Sequence, residues 1–227
     1  SRAGWQILTL KSAPKYDCVF GVATRTKTGS LASGDAYSII KINEGKYLFA
    51  LCDGMGSGVK AEQTSSTAMG LLENFYKAGF DKEIIISSVN KLLSLGKDEN
   101  FSALDLCVLD VRDGVGDFIK MGAPESFIKH KDTTSVIEIG ALPLGIVQNA
   151  ETKNEEVYLS SGDKIIMITD GISDGFKNTA TLQDFINNIA TNNPQEIAEI
   201  ILNKVLSLNK NVAKDDMSVI VAKVFER

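Results

Sequence analysis

The chain has 227 residues, 44% of them hydrophobic and 23% charged, with a formal net charge of -5. That is enough chain and enough apolar content for one substantial core, read as a single domain over 1–227. The acidic balance, without clustered Lys and Arg, argues against nucleic acid or polyphosphate as a partner.

No stretch approaches the roughly 18 consecutive apolar residues of a membrane span, and Ser1-Arg2-Ala3-Gly4 lacks the apolar region of a signal peptide. The expectation is a cytoplasmic chain with no membrane contact of its own. Cys18, Cys52 and Cys107 are odd in number, widely spaced and set in apolar runs, as expected of reduced core thiols. The single histidine, His130, stands in a polar stretch as an exposed hairpin residue, which disfavours a zinc site or a Ser-His-Asp triad.

Strands are expected over 5–10 and 16–26, followed by a Gly/Ser loop over 29–34 and a hairpin, 38–42 with 46–52, turning at Asn43-Glu44-Gly45. Ala61, Thr64, Ala68, Leu71 and Phe75 then form a stripe at helical spacing that ends near Gly79; Ile85, Val89, Leu92 and Leu93 form another, ending at Gly96. Short strands over 104–111, 117–121, 126–130 and 135–139 read as a meander, and 163–169 as an apolar strand needing cover on both faces. A helix carries Leu182, Phe185, Ile186 and Ile189. A second starts at Asn193-Pro194, with Glu196 in its first turn, and 217–224 is a closing strand. Two antiparallel sheets packed face to face with a helix pair outside each, an α+β four-layer αββα sandwich, accommodate this order.

Asp53 ends the apolar run Tyr47-Leu48-Phe49-Ala50-Leu51-Cys52, and Asp170 ends Ile165-Ile166-Met167-Ile168-Thr169; each is followed by glycine. Asp35 opens one strand and Asp215-Asp216 opens the last. A hairpin centred on Glu44 brings Asp35 opposite Asp53, and directly opposed residues have Cβ atoms roughly 4.5–5.5 Å apart. Two carboxylates so placed repel unless one is protonated or a cation lies between them. A single Asp-Gly is an ordinary turn; acids at four strand ends suggest an oxygen-ligand metal centre.

Gly34-Asp35-Ala36-Tyr37, Asp53-Gly54-Met55-Gly56-Ser57-Gly58, Thr169-Asp170-Gly171-Ile172 and Asp215-Asp216-Met217-Ser218-Val219 resemble, in order and nearly end to end, the motifs of the metal-dependent PP2C-type (PPM) serine/threonine phosphatases. The glycine-rich second motif and the run from Gly21-Val22-Ala23 through Ser33-Gly34-Asp35 look most like the phosphatase domain of the bacterial stage II sporulation protein E family. The resemblance implies the αββα fold and two ions, Mn²⁺ or Mg²⁺. Asp53 would bridge them, with the Gly54 carbonyl completing one site, Asp170 and Asp215 holding the other ion, and Asp35 acting at the first directly or through water. Asp53, Asp170 and Asp215 are then the catalytic set. All-oxygen ligation suits hard cations.

Where many family members have a histidine after Asp-Gly, this chain has Met55, so the group that protonates the leaving oxygen is unassigned. An Asp supporting a third ion has no counterpart in Met121-Gly122-Ala123-Pro124; Asp174 is either an additional ligand or a helix cap. Asp105, inside a strand, is expected to hydrogen-bond neighbouring backbone.

The resemblance further implies a phosphorylated anti-anti-sigma factor as substrate, in control of a sporulation sigma factor, and a membrane-spanning part ahead of Ser1 that would make this the cytosolic domain of an anchored protein. Two other readings stay open: a catalytically silent binding module, and a phosphomonoesterase for small molecules. Gly56 and Gly58 join the metal turn to the helix pair, so helix movement could place or withdraw the Gly54 carbonyl. The helices over 59–95 could equally be a homodimer surface.

Overall fold

A computed structural model describes residues 13–56, 58–95, 101–147 and 152–227. The expected strand over 5–10 and the helix stop at Gly96 lie outside these residues. β1 (Tyr16–Arg25) leads through a loop into the hairpin of β2 (Asp35–Asn43) and β3 (Lys46–Gly54). Its register is the expected one: Asp35 pairs with Asp53 and Lys41 with Tyr47, after which a bulge shifts the pairing to Asn43 with Lys46. Two helices follow, α1 (Val59–Ala78) and α2 (Lys82–Ser94), then β4 (Ser102–Asp110), β5 (Val115–Met121), β6 (Ser126–Lys129), β7 (Thr134–Ile137), β8 (Asn154–Tyr158) and β9 (Lys164–Ile168). The short α3 (Asp170–Ser173), then α4 (Thr179–Asn187), α5 (Pro194–Leu208) and β10 (Met217–Glu226) complete the order.

The strands form two five-stranded antiparallel sheets, ordered β1-β10-β9-β6-β7 and β2-β3-β4-β5-β8. Strand alternation assigns the layers, because successive side chains point to opposite faces. Phe49, Leu51, Cys107, Leu109, Phe118, Ile165, Met167 and Ile220 face inward and form the layer between the sheets. Leu48, Ala50, Leu104, Leu106 and Ile119 face the other way, onto α1 and α2. Ile166, Ile168, Val219 and Val221 face α4 and α5. The four-layer sandwich is therefore as expected.

The expected meander is corrected. β5 pairs with β4 and β8, whereas β6 pairs with β7 and β9, so the chain crosses from one sheet to the other at Gly122-Ala123-Pro124. Hydrophobic alternation is the same on both sides of that crossing and carries no sign of it. β8 was not expected: it is a mostly exposed edge strand, Asn-Glu-Glu-Val-Tyr, without the apolar alternation that marks a buried one. His130 sits at the β6–β7 turn, as expected, but its imidazole is only partly exposed, with Nδ1 3.1 Å from Asp163 Oδ1. Cys18, Cys52 and Cys107 are free and buried. Among the described residues no helix is long and apolar enough to cross a membrane.

Candidate metal centre

At one rim the inner layer turns polar. Counting by twos from apolar inward-facing residues reaches Asp53 from Leu51 on β3, Asp35 from Ile39 on β2, Thr169 from Met167 on β9, and Ser218 from Ile220 on β10. The strands that build the core thus carry acids and hydroxyls to a shared end, half from each sheet.

Asp35 is held from the opposite sheet. Thr169 Oγ1 donates to Asp35 Oδ2 at 2.9 Å and itself accepts the Ser218 N–H at 2.9 Å. Asp35 Oδ1 is buried with no hydrogen-bond partner. Burial is the main force raising the Asp35 carboxyl to about 6; the Asp216 and Asp170 charges add to it, and hydrogen bonds from Ser218 and Thr169 oppose it. Asp53 goes further, to about 8, through burial first and then the charges of Asp35, Asp170 and Asp215. Asp170 is also raised, by burial first and then by the charges of Asp215 and Asp174, with the Gly171 N–H and the Asp53 carboxyl opposing. A proton held between these two carboxyls is one resolution of the crowding; a cation is the other.

Asp215 lies within electrostatic reach of Asp53 and Asp170, but its exposed side chain turns to Lys27, Nζ to Oδ1 at 3.4 Å. Among the described residues no three His, Cys, Asp or Glu side chains close into a compact ligand cluster. What the acids line is an open cleft of about 250 Å³, bordered by Asp53, Gly54, Met55, Gly56, Asp170 and Asp215. Met55 is 62% exposed at its edge. Gly54 has no substitute here, because a Cβ would strike the backbone of Ala61 on α1. Gly56 and Gly58 both adopt positive φ, 99° and 76°.

Asp174 is a helix cap, one of its two expected roles: it ends α3 as the C-cap, its backbone N–H bonding the Asp170 carbonyl, and its side chain is exposed near Asp170. One expectation is corrected. Asp105 pairs with side chains, Lys120 and Ser126, and not with backbone. Sequence reasoning missed Thr169 and Ser218 as the groups that orient Asp35, although their inward position in the strand alternation was available. It also gave no role to Asp216, the second acid of the Asp215-Asp216 doublet. Asp216 is the buried member; its carboxylate accepts the Lys27 N–H at 2.8 Å and the Gly34 N–H at 2.7 Å, tying down the loop that delivers Asp35.

The donor set fits a hard divalent cation: oxygen atoms only, one of them buried without a partner, in carboxyls that burial and then crowding drive toward protonation. Across the chain, the stage II sporulation protein E family model matches residues 43–225. The chain belongs to that family. Stage II sporulation protein E of Priestia megaterium is 39% identical over 90% of this chain and 36% of its own length; that of Bacillus subtilis is 34% identical over 97% and 27%. The chain therefore spans about a third of the curated relatives it matches. The structure of the PP2C phosphatase domain of SpoIIE from B. subtilis, with a fragment of its regulatory domain, superimposes with a TM-score of 0.88 at 34% identity, covering 93% of this chain and 64% of that one. The fold is thus that of the PP2C-type serine/threonine phosphatases. It extends to RsbX in complex with magnesium, at 19% identity and a TM-score of 0.70, covering 96% of this chain and all of that one.

Proposed function

We propose that this chain is a single Mn²⁺- or Mg²⁺-dependent protein serine/threonine phosphatase domain, with Asp35, Asp53, the Gly54 carbonyl, Asp170 and Asp215 as metal ligands. The observation that carries the reading is the meeting of Asp35 and Asp53 from one sheet with Asp170 from the other, one of their oxygens buried and unpaired. Paired divalent ions, when bound, lower the pKa of a coordinated water and neutralise charge on a phosphoryl group.

The chain's own residues supply the rest. Thr169, fixed by the Ser218 N–H, holds Asp35 Oδ2 and leaves Oδ1 free to ligate. Asp53 and Asp170, whose carboxyls burial and their acidic neighbours drive toward protonation, would hold a cation between the two sheets. Asp216 locks the loop before Asp35, and Lys27 stands at the mouth beside Asp215 as a cation facing an incoming phosphate. Asp174 flanks Asp170 as an additional outer ligand.

The substrate in this reading is a phosphorylated anti-anti-sigma factor, whose dephosphorylation activates a sporulation sigma factor in the cytoplasm. Membership of a sporulation protein family and a further relative named phosphoserine phosphatase RsbU, from B. subtilis and 24% identical, support the sporulation setting and the phosphoserine chemistry of that reading. Because Ala61 on α1 backs directly onto Gly54, movement of α1 about Gly56 and Gly58 would carry the Gly54 carbonyl toward or away from the centre. Exposed Val59, Phe80, Ile84 and Leu92 on the same helix pair and its linker offer a surface for a second copy. The deciding experiment is Mn²⁺-dependent phosphate release from a phosphoserine protein by the native chain, Asp53→Asn and Asp170→Asn. The expected result is release by the native chain alone; equal rates in all three would remove the catalytic assignment. Competition with an aryl phosphate would separate a protein phosphatase from a small-molecule phosphomonoesterase.

A further inference from the structure

One buried polar group between the sheets has no part in the reading above. Asp105 on β4 and Lys120 on β5 stand directly opposite one another in register and point into the inter-sheet layer, as Cys107, Leu109 and Phe118 do. Both side chains are 1% exposed, and Lys120 Nζ lies 2.7 Å from Asp105 Oδ2. The ammonium also donates to the Pro124 carbonyl at 2.7 Å and to Ser126 Oγ at 2.8 Å, and the Ser126 hydroxyl donates to Asp105 Oδ2. All three Lys120 donors are thereby used.

The network spans the sandwich. Asp105 and Lys120 belong to the sheet that carries Asp35 and Asp53, whereas Ser126 opens β6, in the sheet that carries Asp170 and Asp215. β4 is the neighbour of β3, which ends at the metal turn, and β6 is the neighbour of β9, which leads to Thr169-Asp170. A buried ion pair is seldom more stabilising than apolar residues of the same volume, so its benefit is sought in fixed geometry. Asp105 Oδ1 supplies a second, independent observation. It is buried with no hydrogen-bond partner, and Asp105 borders a cavity of about 20 Å³ that Asp53, Thr169 and Asp170 also line. That volume has room for one water molecule.

We infer that Asp105 is a positioning residue for the metal centre: clamped by Lys120 and Ser126, it fixes the spacing of the two sheets, and through one cavity water donating to Oδ1 it orients Asp53 and Asp170. The inference rests on the metal reading above. Groups behind the direct ligands typically change metal affinity by 10–100-fold when removed.

The test is Mn²⁺ titration by calorimetry on the whole chain, with thermal melting in chelator as the control for folding. Asp105→Leu combined with Lys120→Met removes both charges while keeping the volume filled. The expected result is a melting temperature within a few degrees of native and Mn²⁺ affinity lower by about 10–100-fold. Native affinity in that folded variant would overturn the inference and leave the metal reading intact. If the double variant does not fold, Ser126→Ala cuts only the link to the second sheet; about tenfold weaker Mn²⁺ binding supports the inference, and unchanged binding overturns it. A native chain that takes up no Mn²⁺ would overturn both readings.

Discussion

The two helical layers of the sandwich are fastened differently. On the β1–β10–β9 side, α4 starts at Asn178, whose side chain accepts the Thr181 N–H at 2.9 Å, and α5 at Asn193, which accepts the Gln195 N–H at 3.0 Å. Gln195 then ties α5 to the sheet, accepting the Val22 N–H and donating to the Val22 carbonyl. On the other side, α1 begins at Gly58 and α2 at Asp81, neither with a side-chain cap bond, and large apolar residues of this pair remain exposed. Both layers are tied to their sheets, the α1–α2 pair through Ser38 Oγ donating to Glu73 at 2.7 Å and Lys82 Nζ donating to Asp117 Oδ2 at 2.6 Å. The difference lies at the helix starts: side-chain caps on one side, and on the other glycines that join α1 to the turn carrying Gly54.

The largest expected effect tests the rim against both layers. Asp53→Asn should lower Mn²⁺-dependent turnover by more than about a hundredfold, since metal-borne charge stabilisation is worth several kcal/mol. Melting in chelator should be unchanged or higher, because the substitution removes a carboxyl that burial and its neighbours have driven to about 8.

Matched truncations compare the layers directly. Leu72 on α1 and Ile201 on α5 are both fully buried, and changing either to Ala should cost about 2–5 kcal/mol by denaturant unfolding. Only Leu72→Ala should also weaken Mn²⁺ binding, through α1 and Gly54. Native-state hydrogen exchange should find α1 and α2 opening at lower free energy than α5; equal protection would erase the distinction between the capped and the glycine-joined layers.

Gly58→Ala acts at the joint itself. Its φ of 76° and ψ of -155° lie in a region essentially closed to other residues, so Ala should destabilise the start of α1 by about 1–3 kcal/mol. Unchanged activity and unchanged metal dependence would show that backbone freedom there is not the switch. Gln195→Ala, on the α4–α5 side, should cost about 1 kcal/mol in stability and leave Mn²⁺ affinity alone.

A pH series isolates the rim. Asp35, at about 6, and Asp53, at about 8, bind protons more tightly in the native chain than in the unfolded one, where an aspartate carboxyl has its ordinary value of 3.8. Their contribution is favourable below about pH 4 and is lost as pH rises toward 8. In chelator, unfolding free energy should carry this downward slope; saturating Mn²⁺ should flatten or reverse it. A chelated chain whose stability rises steadily from pH 5 to 8 would contradict the raised carboxyls.

Local pattern made much of this legible. Asn43-Glu44-Gly45 set the hairpin register that opposes Asp35 and Asp53, and the helical stripes identified α1, α2, α4 and α5. What it could not carry was the assignment of β5 and β6 to different sheets, because alternation records which face is buried and not which strand lies alongside. For the same reason Asp105 looked like a solitary strand acid: its partner Lys120 is a cross-strand neighbour, and Ser126 comes from the opposing sheet. Asp215 and Asp216 differ only in which way they face, and the loop that Asp216 restrains returns from the other end of the chain.

Dividing the acids between two sheets has a consequence for assembly. Asp35 belongs to the first hairpin and Asp215 precedes the last strand, so no early portion of the polypeptide contains the whole donor set. On the proposed metal reading, capture of the ions would come only when β10 slots between β1 and β9, and metal uptake would then act as a timer that withholds hydrolysis until folding is finished.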